Sequence, residues 1–275
     1  MPSNNPAFGR GFARSGNGQQ VAGWGAQPQQ YGAPGQYGAP AQYDLYGAPN
    51  PYAATTTRYM TMDDVVTKTG VAFLVTVLAA AATWALPLST ALALALPAMI
   101  AGLILGLVIS FRQIANPAAT LAYAAVEGVF LGAISEVFNL RFPGIVTQAV
   151  IGTFGVFAGM LVVYKTGAIR VTPKFTRWVV GALIGALVLM VVNMIAYAFV
   201  PGGLGLRSGG TLAIVFSLVV IGIGALSLLL DFDMADQAIR RGAPAKFAWY
   251  ISFGLLVTVV WLYMEILRLL SYFRE

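Results

Sequence analysis

From residue 61 onward the chain alternates between long apolar runs and short polar links. The runs lie near 70–86, 91–111, 117–138, 145–164, 178–200, 211–230 and 247–272. Most reach the ~20 residues that a helix needs to cross a hydrocarbon core of about 30 Å. The first is the shortest, but it can borrow the preceding turn with Val65 and Val66. That turn has its own start signal. Thr61 precedes Asp63 and Asp64, the pattern of a threonine cap with an acid three residues on. Lys68 follows Asp64 by four residues, a favourable helix pair. The links 87–90 and 112–116 are too short for anything but antiparallel hairpins. The pattern predicts seven transmembrane helices over residues 58–275.

Composition supports this reading. Hydrophobic residues make up 58% and charged residues 9%, against roughly 25% charged in soluble domains. Mean hydropathy is +0.76. The chain is therefore an all-α polytopic membrane protein. A net charge of +6 does not indicate nucleic acid, because the basic residues sit in short loops between apolar runs. With the N-terminal segment in the cytoplasm, the inner side holds Arg58, Lys68, Arg112, Lys165, Arg170, Lys174, Arg177, Arg240, Arg241 and Lys246. The outer side then holds only Arg141, Arg207, Arg268 and Arg274. This bias predicts a cytoplasmic N-terminus, and the plasma membrane is the expected location. It also places the C-terminus outside, unless the seventh run dips in and returns.

Residues 1–57 are a different polymer, rich in Gly, Gln, Pro and Tyr, with YGAP at 31–34, 37–40 and 46–49. Such a stretch buries too little apolar surface to offset its ordering entropy, so a disordered cytoplasmic tail is expected. It carries no signal-peptide pattern, and the first apolar run is expected to act as an uncleaved anchor. Cysteine and histidine are both absent. This excludes disulfides, zincin motifs and Ser-His-Asp triads. There is no phosphate-binding loop and no GxGD aspartyl pair, so no enzyme is expected.

Small residues recur at four-residue spacing: Gly102 and Gly106, Gly128 and Gly132, Gly155 and Gly159, Gly181 and Gly185. They predict close helix packing in lipid. Intramembrane acids are the rarer feature, because a carboxylate at mid-bilayer costs about 2.5–3.5 kcal/mol on insertion scales. Glu127 lies mid-way through the third run, while Glu136 falls near an interface with Arg141. Asn193 in the fifth run suits a structural hydrogen bond to a neighbour. Asp231 and Asp233 close the sixth run and project about 200° apart, so one site cannot take both. Asp233 shares a face with Asp236 and Gln237, and this favours it over Asp231. Arg240, Arg241, Gly242 and Pro244 supply a helix stop. Glu265 lies deep in the last run, with Arg268 one turn on.

Three stretches carry a family resemblance. They are Ala122-Tyr123-Ala124-Ala125-Val126-Glu127-Gly128 with Leu131-Gly132; Phe232-Asp233; and Leu262-Tyr263-Met264-Glu265-Ile266. In order and spacing, residues from about 58 to the end resemble the Bax inhibitor-1 family, also called the transmembrane BAX inhibitor motif or YccA-like family. The resemblance implies a seven-helix fold with the last helix central among the other six. It further implies a pH-sensitive calcium leak governed by an acid on each of the last two helices. Asp233 matches the first acid, and Glu265 falls where the family usually has an aspartate. Arg112 is the nearest counterpart of an arginine that latches the first acid. Two carboxylates brought together in low dielectric would share one proton, and losing it would push helices six and seven apart.

The expected function is thus a cation leak, with Ca²⁺ as permeant ion and Asp233 and Glu265 as its oxygen ligands. Glu127 is a third acid on the path. Protons and the lipid bilayer are further partners, and no other cofactor is implied. The pair can meet only if the seventh helix starts well after Phe247, because Glu265 would otherwise lie about 27 Å along it. A second class stays open, a non-catalytic regulator of membrane-protein quality control. Some bacterial relatives modulate a membrane-bound AAA protease, and the long tail would suit a partner.

Overall fold

The computed structural model describes residues 58–274. It contains α1 (Met62–Trp84), α2 (Leu88–Arg112), α3 (Pro117–Arg141), α4 (Ile145–Thr166), α5 (Pro173–Tyr197), α6 (Thr211–Arg240) and α7 (Ala248–Tyr272). A 3₁₀ turn, Ala245–Phe247, leads into α7. All seven helices are long and apolar enough to span a membrane. The protein is a multi-pass membrane protein, and no strand occurs among the described residues. The expected tail, residues 1–57, lies outside the described residues.

Local sequence accounts for the helix ends. Thr61 Oγ1 accepts the Asp64 amide, and the Asp64 carboxylate accepts the Thr61 amide at 3.1 Å, a reciprocal capping box. α1 therefore begins at Met62, earlier than its apolar run. Asn116 and Thr172 cap α3 and α5, each followed by a proline in the first turn. α4 ends at Gly167, which supplies the left-handed φ of 68° that closes the helix. α6 continues ten residues past its apolar run, because the polar stretch after Leu230 stays helical to Arg240.

α7 is the most buried helix and packs against α6, α1, α4 and α3. It is continuous, so it does not dip in and return. α2 lies mainly on α3, and α5 on α6, outside that central group. Their outer faces carry exposed Leu103, Ile104, Ile184 and Leu187. Apolar faces this large suit a lipid solvent. Gly128 and Gly132 let α3 touch the α1 backbone: a Cβ on either would lie 2.4 Å from a carbonyl oxygen, that of Thr76 or Ala80. The Gly155/Gly159 and Gly181/Gly185 rows have nothing within 4 Å and do no such packing.

Polar bonds fix α7 in register. Thr69 Oγ1 donates to Ser252 Oγ, and Thr120 Oγ1 donates to the Trp249 carbonyl, both at 3.1 Å. Farther along, Ser135 Oγ and the Tyr263 hydroxyl are 2.6 Å apart. The segment before α1 is bound to the α6–α7 link. The Met60 amide donates to the Ala243 carbonyl, and the Ala245 amide to that of Arg58, both at 2.8 Å. Lys68 Nζ adds a bond of 2.5 Å to the Ala245 carbonyl.

Candidate ion pathway and its acids

Of the two aspartates that close the sixth apolar run, Asp231 faces inward. Its carboxyl oxygen lies 2.6 Å from the Thr258 hydroxyl of α7, a short hydrogen bond. The missing side chain of Gly254 leaves room beside it, since a Cβ there would lie 3.8 Å from Asp231 Oδ1. A cavity of about 220 Å³ opens at this point, lined by Ser110, Asp231, Tyr250 and Thr258 among others. The acid, two hydroxyls and the phenol line the space where the end of α2 meets α6 and α7.

Asp233 points the other way. It accepts Gln237 Nε2 at 2.5 Å, beside the Arg240–Asp236 pair at 2.9 Å. These bonds run along the face of α6 turned toward Tyr164 of α4, whose phenol hydrogen-bonds Asp236. The two aspartates are indeed opposed around the helix, but the inward one is Asp231. Direction alone could not decide which faced the core. The α6 sequence does carry a signal that decides it. Ser217, Gly224 and Ser227 are buried with spacings of seven and three residues, and Asp231 falls seven after Gly224 and four after Ser227. That small-residue stripe faces α7.

Glu265 does not meet Asp233. α7 starts at Ala248, so the late start that the pair required does not occur. Asp231 lies level with Gly254 and Thr258. By the helical rise along the antiparallel pair, Glu265 is then about 14 Å along the axis from Asp231 and about 17 Å from Asp233. Glu265 is 2% exposed, and it is held by two other groups. Arg207 Nη2, from the link between α5 and α6, reaches Glu265 Oε1 at 3.0 Å, and Arg268 Nη1 reaches it at 2.9 Å. The expected Arg268 partner is therefore present, whereas sequence gave no sign of Arg207. The same link is tied to α5 by Asn193, whose side-chain oxygen accepts the Leu204 amide at 3.0 Å.

The remaining candidates are dispersed. Glu127 lies half-buried on α3, with the Tyr123 phenol one turn before it as hydrogen-bonding neighbour. It abuts α2, where a Cβ on Gly102 would come within 3.0 Å of its Oε1. Glu136 has a buried Oε2 without a hydrogen-bond partner. Arg112 is exposed and makes no ion pair with a described residue, so no latch is formed, although Ser110 of the same turn lines the Asp231 cavity. No group of three or more acids that could hold a metal occurs among the described residues. The expected Ca²⁺ ligand set of Asp233 and Glu265 is thus not assembled.

No curated protein matches the chain. The family model described as Bax inhibitor 1 like matches residues 5–275, nearly the whole length, and extends well before the expected start near residue 58. The seven-helix bundle and this match lead to one assignment: the chain belongs to the Bax inhibitor 1 like family.

Proposed function

We propose that this protein is a pH-sensitive cation leak, not an enzyme, and that Ca²⁺ is its permeant ion and Asp231 its proton-sensitive group. The observation that carries the reading is the Asp231–Thr258 contact at the wall of a polar cavity. Thr258 Oγ1 also lies 3.2 Å from the Gly254 carbonyl. One hydroxyl proton cannot serve two acceptors fully. A protonated Asp231 resolves the conflict by donating to Thr258, which then donates to Gly254. α6 and α7 are thereby joined by a continuous hydrogen-bond chain.

Loss of the proton leaves a carboxylate in a site with a single hydroxyl partner. The charge favours hydration and attracts a cation, and it loosens α6 from α7. The proton thus favours the closed form, and leak increases as pH rises. A hard divalent cation suits carboxylate, hydroxyl and water oxygens, and it would pass through without a resident site. In this reading the protein sits in the plasma membrane with its N-terminus cytoplasmic, the orientation that the bias of basic residues supports.

Calcium flux into proteoliposomes, followed across pH, tests the reading. Asp231→Asn retains a donor for Thr258 but cannot ionise, so it should leak little at any pH. Asp233→Asn should behave like wild type. An Asp231→Asn protein with an unchanged pH profile would refute the assignment. A second reading, a non-catalytic regulator of a membrane protease, is favoured by the bonds from Met60 and Arg58 to the α6–α7 link. A partner gripping residues 1–57 would pull directly on that link. A wild-type protein that passes no ion in pure lipid would favour this second reading.

A further inference from the structure

Between α1 and α4 lies a cavity of about 280 Å³ whose character differs from that of the Asp231 cavity. Its walls come from Phe73, Val77 and Trp84 of α1 and from Val150 and Phe154 of α4, with Tyr263 of α7 in its floor. α1 and α4 both pack on α7 but hardly on each other, and the seam between them is left open. Phe73 and Phe154 close one end with an edge-on ring contact at 6.4 Å. Val77 is 59% exposed and Phe154 50%, so the side of the groove faces lipid.

Four hydroxyls line this space, and all are satisfied within the protein. Thr76 donates to Ala72 at 3.0 Å and Thr153 to Ala149 at 2.7 Å, both to carbonyls of their own helices. Ser135 and Tyr263 bond each other. None is left to hold water or a polar ligand, so the groove suits an apolar occupant. From Phe73 to Trp84 the α1 wall is about 16 Å long, close to one leaflet of a ~30 Å core. Trp84, a good interfacial residue, marks the end nearer the headgroups. No basic side chain lines the groove, so a free fatty acid would find no partner for its carboxylate. A phospholipid would keep its headgroup in the interface.

We propose that this groove is a binding site for one acyl chain of a phospholipid, from the leaflet at the α1–α2 turn. The chain runs from Trp84 down to the Phe73–Phe154 contact and lies against Tyr263, thereby filling the seam between α1 and α4.

The full chain, reconstituted in phosphatidylcholine vesicles with a diazirine on the acyl chain, provides the test. After irradiation, adducts are mapped by peptide mass spectrometry. Tyr263 and Ser135 are only 9% and 5% exposed, so bulk lipid cannot label them. Adducts there are expected, at a yield comparable with exposed Leu187 on α5. Val150→Trp, a lipid-facing substitution that narrows the groove, should lower the Tyr263 adduct several-fold and leave Leu187 unchanged. Ala81→Leu should do the same from the α1 side. Labelling confined to exposed residues would overturn the proposal, as would Tyr263 adducts that persist in both variants. It would equally be overturned if Val77→Cys formed disulfide-linked dimers while Tyr263 stayed unlabelled, because a second copy would then be the occupant.

Discussion

The closest packing in the bundle, where α3 meets α1, allows a prediction of sign as well as size. A methyl on Gly128 would meet Thr76 O at 2.4 Å and the Ala79 Cβ at 2.7 Å. At Gly132 it would meet Ala80 O at 2.4 Å and the Thr83 Cβ at 2.9 Å. Ordinary carbon–oxygen contacts are about 3.3–3.6 Å, so α1 must retreat by about 1 Å. The obstacle is backbone, and no rotamer change can relieve it. Overpacking of this kind costs about 1–3 kcal/mol, against a gain of ~0.5–1 kcal/mol from replacing a helical glycine. Gly128→Ala and Gly132→Ala should therefore each lose stability, by about 1 kcal/mol at the mid-points of those two ranges and by up to about 2.5 kcal/mol. Gly155→Ala and Gly181→Ala, with open space around them, should be neutral or slightly stabilising. Because the first methyl already moves α1, the Gly128→Ala/Gly132→Ala double variant should cost less than the sum. Unfolding of the purified protein by SDS titration in mixed micelles, followed by circular dichroism, measures all five. If Gly128→Ala proved as stable as Gly155→Ala, the close approach of α1 and α3 would be wrong.

Three further outcomes follow from single contacts. Arg207→Gln removes one of two guanidinium groups from buried Glu265, and should cost about 1.5–3 kcal/mol, the range for hydrogen bonds to charged groups. It should also speed proteolysis of the α5–α6 link, whereas unchanged cleavage would show that Arg207 does not hold it. The Ser135–Tyr263 bond should give a coupling of about 0.6 kcal/mol in a Ser135→Ala and Tyr263→Phe double-mutant cycle, the average for bonds between membrane helices. Strict additivity would count against the bond. Thr61→Ala deletes the α1 cap at a cost of about 1 kcal/mol in SDS unfolding. It should also hasten amide exchange at Met60, whose N–H donates to Ala243.

Much of the architecture is legible in the sequence because lipid imposes a simple rule. A run that crosses a bilayer must be apolar and helical, and all seven runs are recovered as helices. The Thr61 cap was equally legible, since capping is a local interaction. The end of α6 was legible too, because the stop at Arg240, Arg241, Gly242 and Pro244 lies where the helix ends, although apolarity had failed as a guide ten residues earlier. The acids were only partly legible. The geometry of one helix reveals that Asp231 and Asp233 oppose each other, but not which of them is inside. Motif matching favoured Asp233, while the Ser217, Gly224 and Ser227 stripe favoured Asp231. Arg207 could not be anticipated, because it belongs to a glycine-rich link with no periodicity to fix where its side chain goes.

The placement of the polar bonds limits which part of the bundle can move. Near its start α7 is tied to α1 through Thr69 and to α3 through Thr120. Near its end it is tied to α3 through Ser135 and to the α5–α6 link through Arg207. Displacing α7 would break bonds at both ends at about 1 kcal/mol or more each. α6 is held to it by the Thr258 contact and otherwise by apolar packing, with Leu228 and Leu262 in one cluster. α5 packs chiefly on α6 and has little other support. α5 is therefore the cheapest helix to shift, whereas α6 makes the most extensive packing of any helix with α7 and also packs on α4. Opening at the Asp231 cavity has to part the α6–α7 seam itself, and Arg207 holds that seam from the opposite end. Under the proposed function, protonation of Asp231 acts on the one side-chain hydrogen bond described between α6 and α7, so the change in charge would fall on a seam otherwise closed by apolar packing.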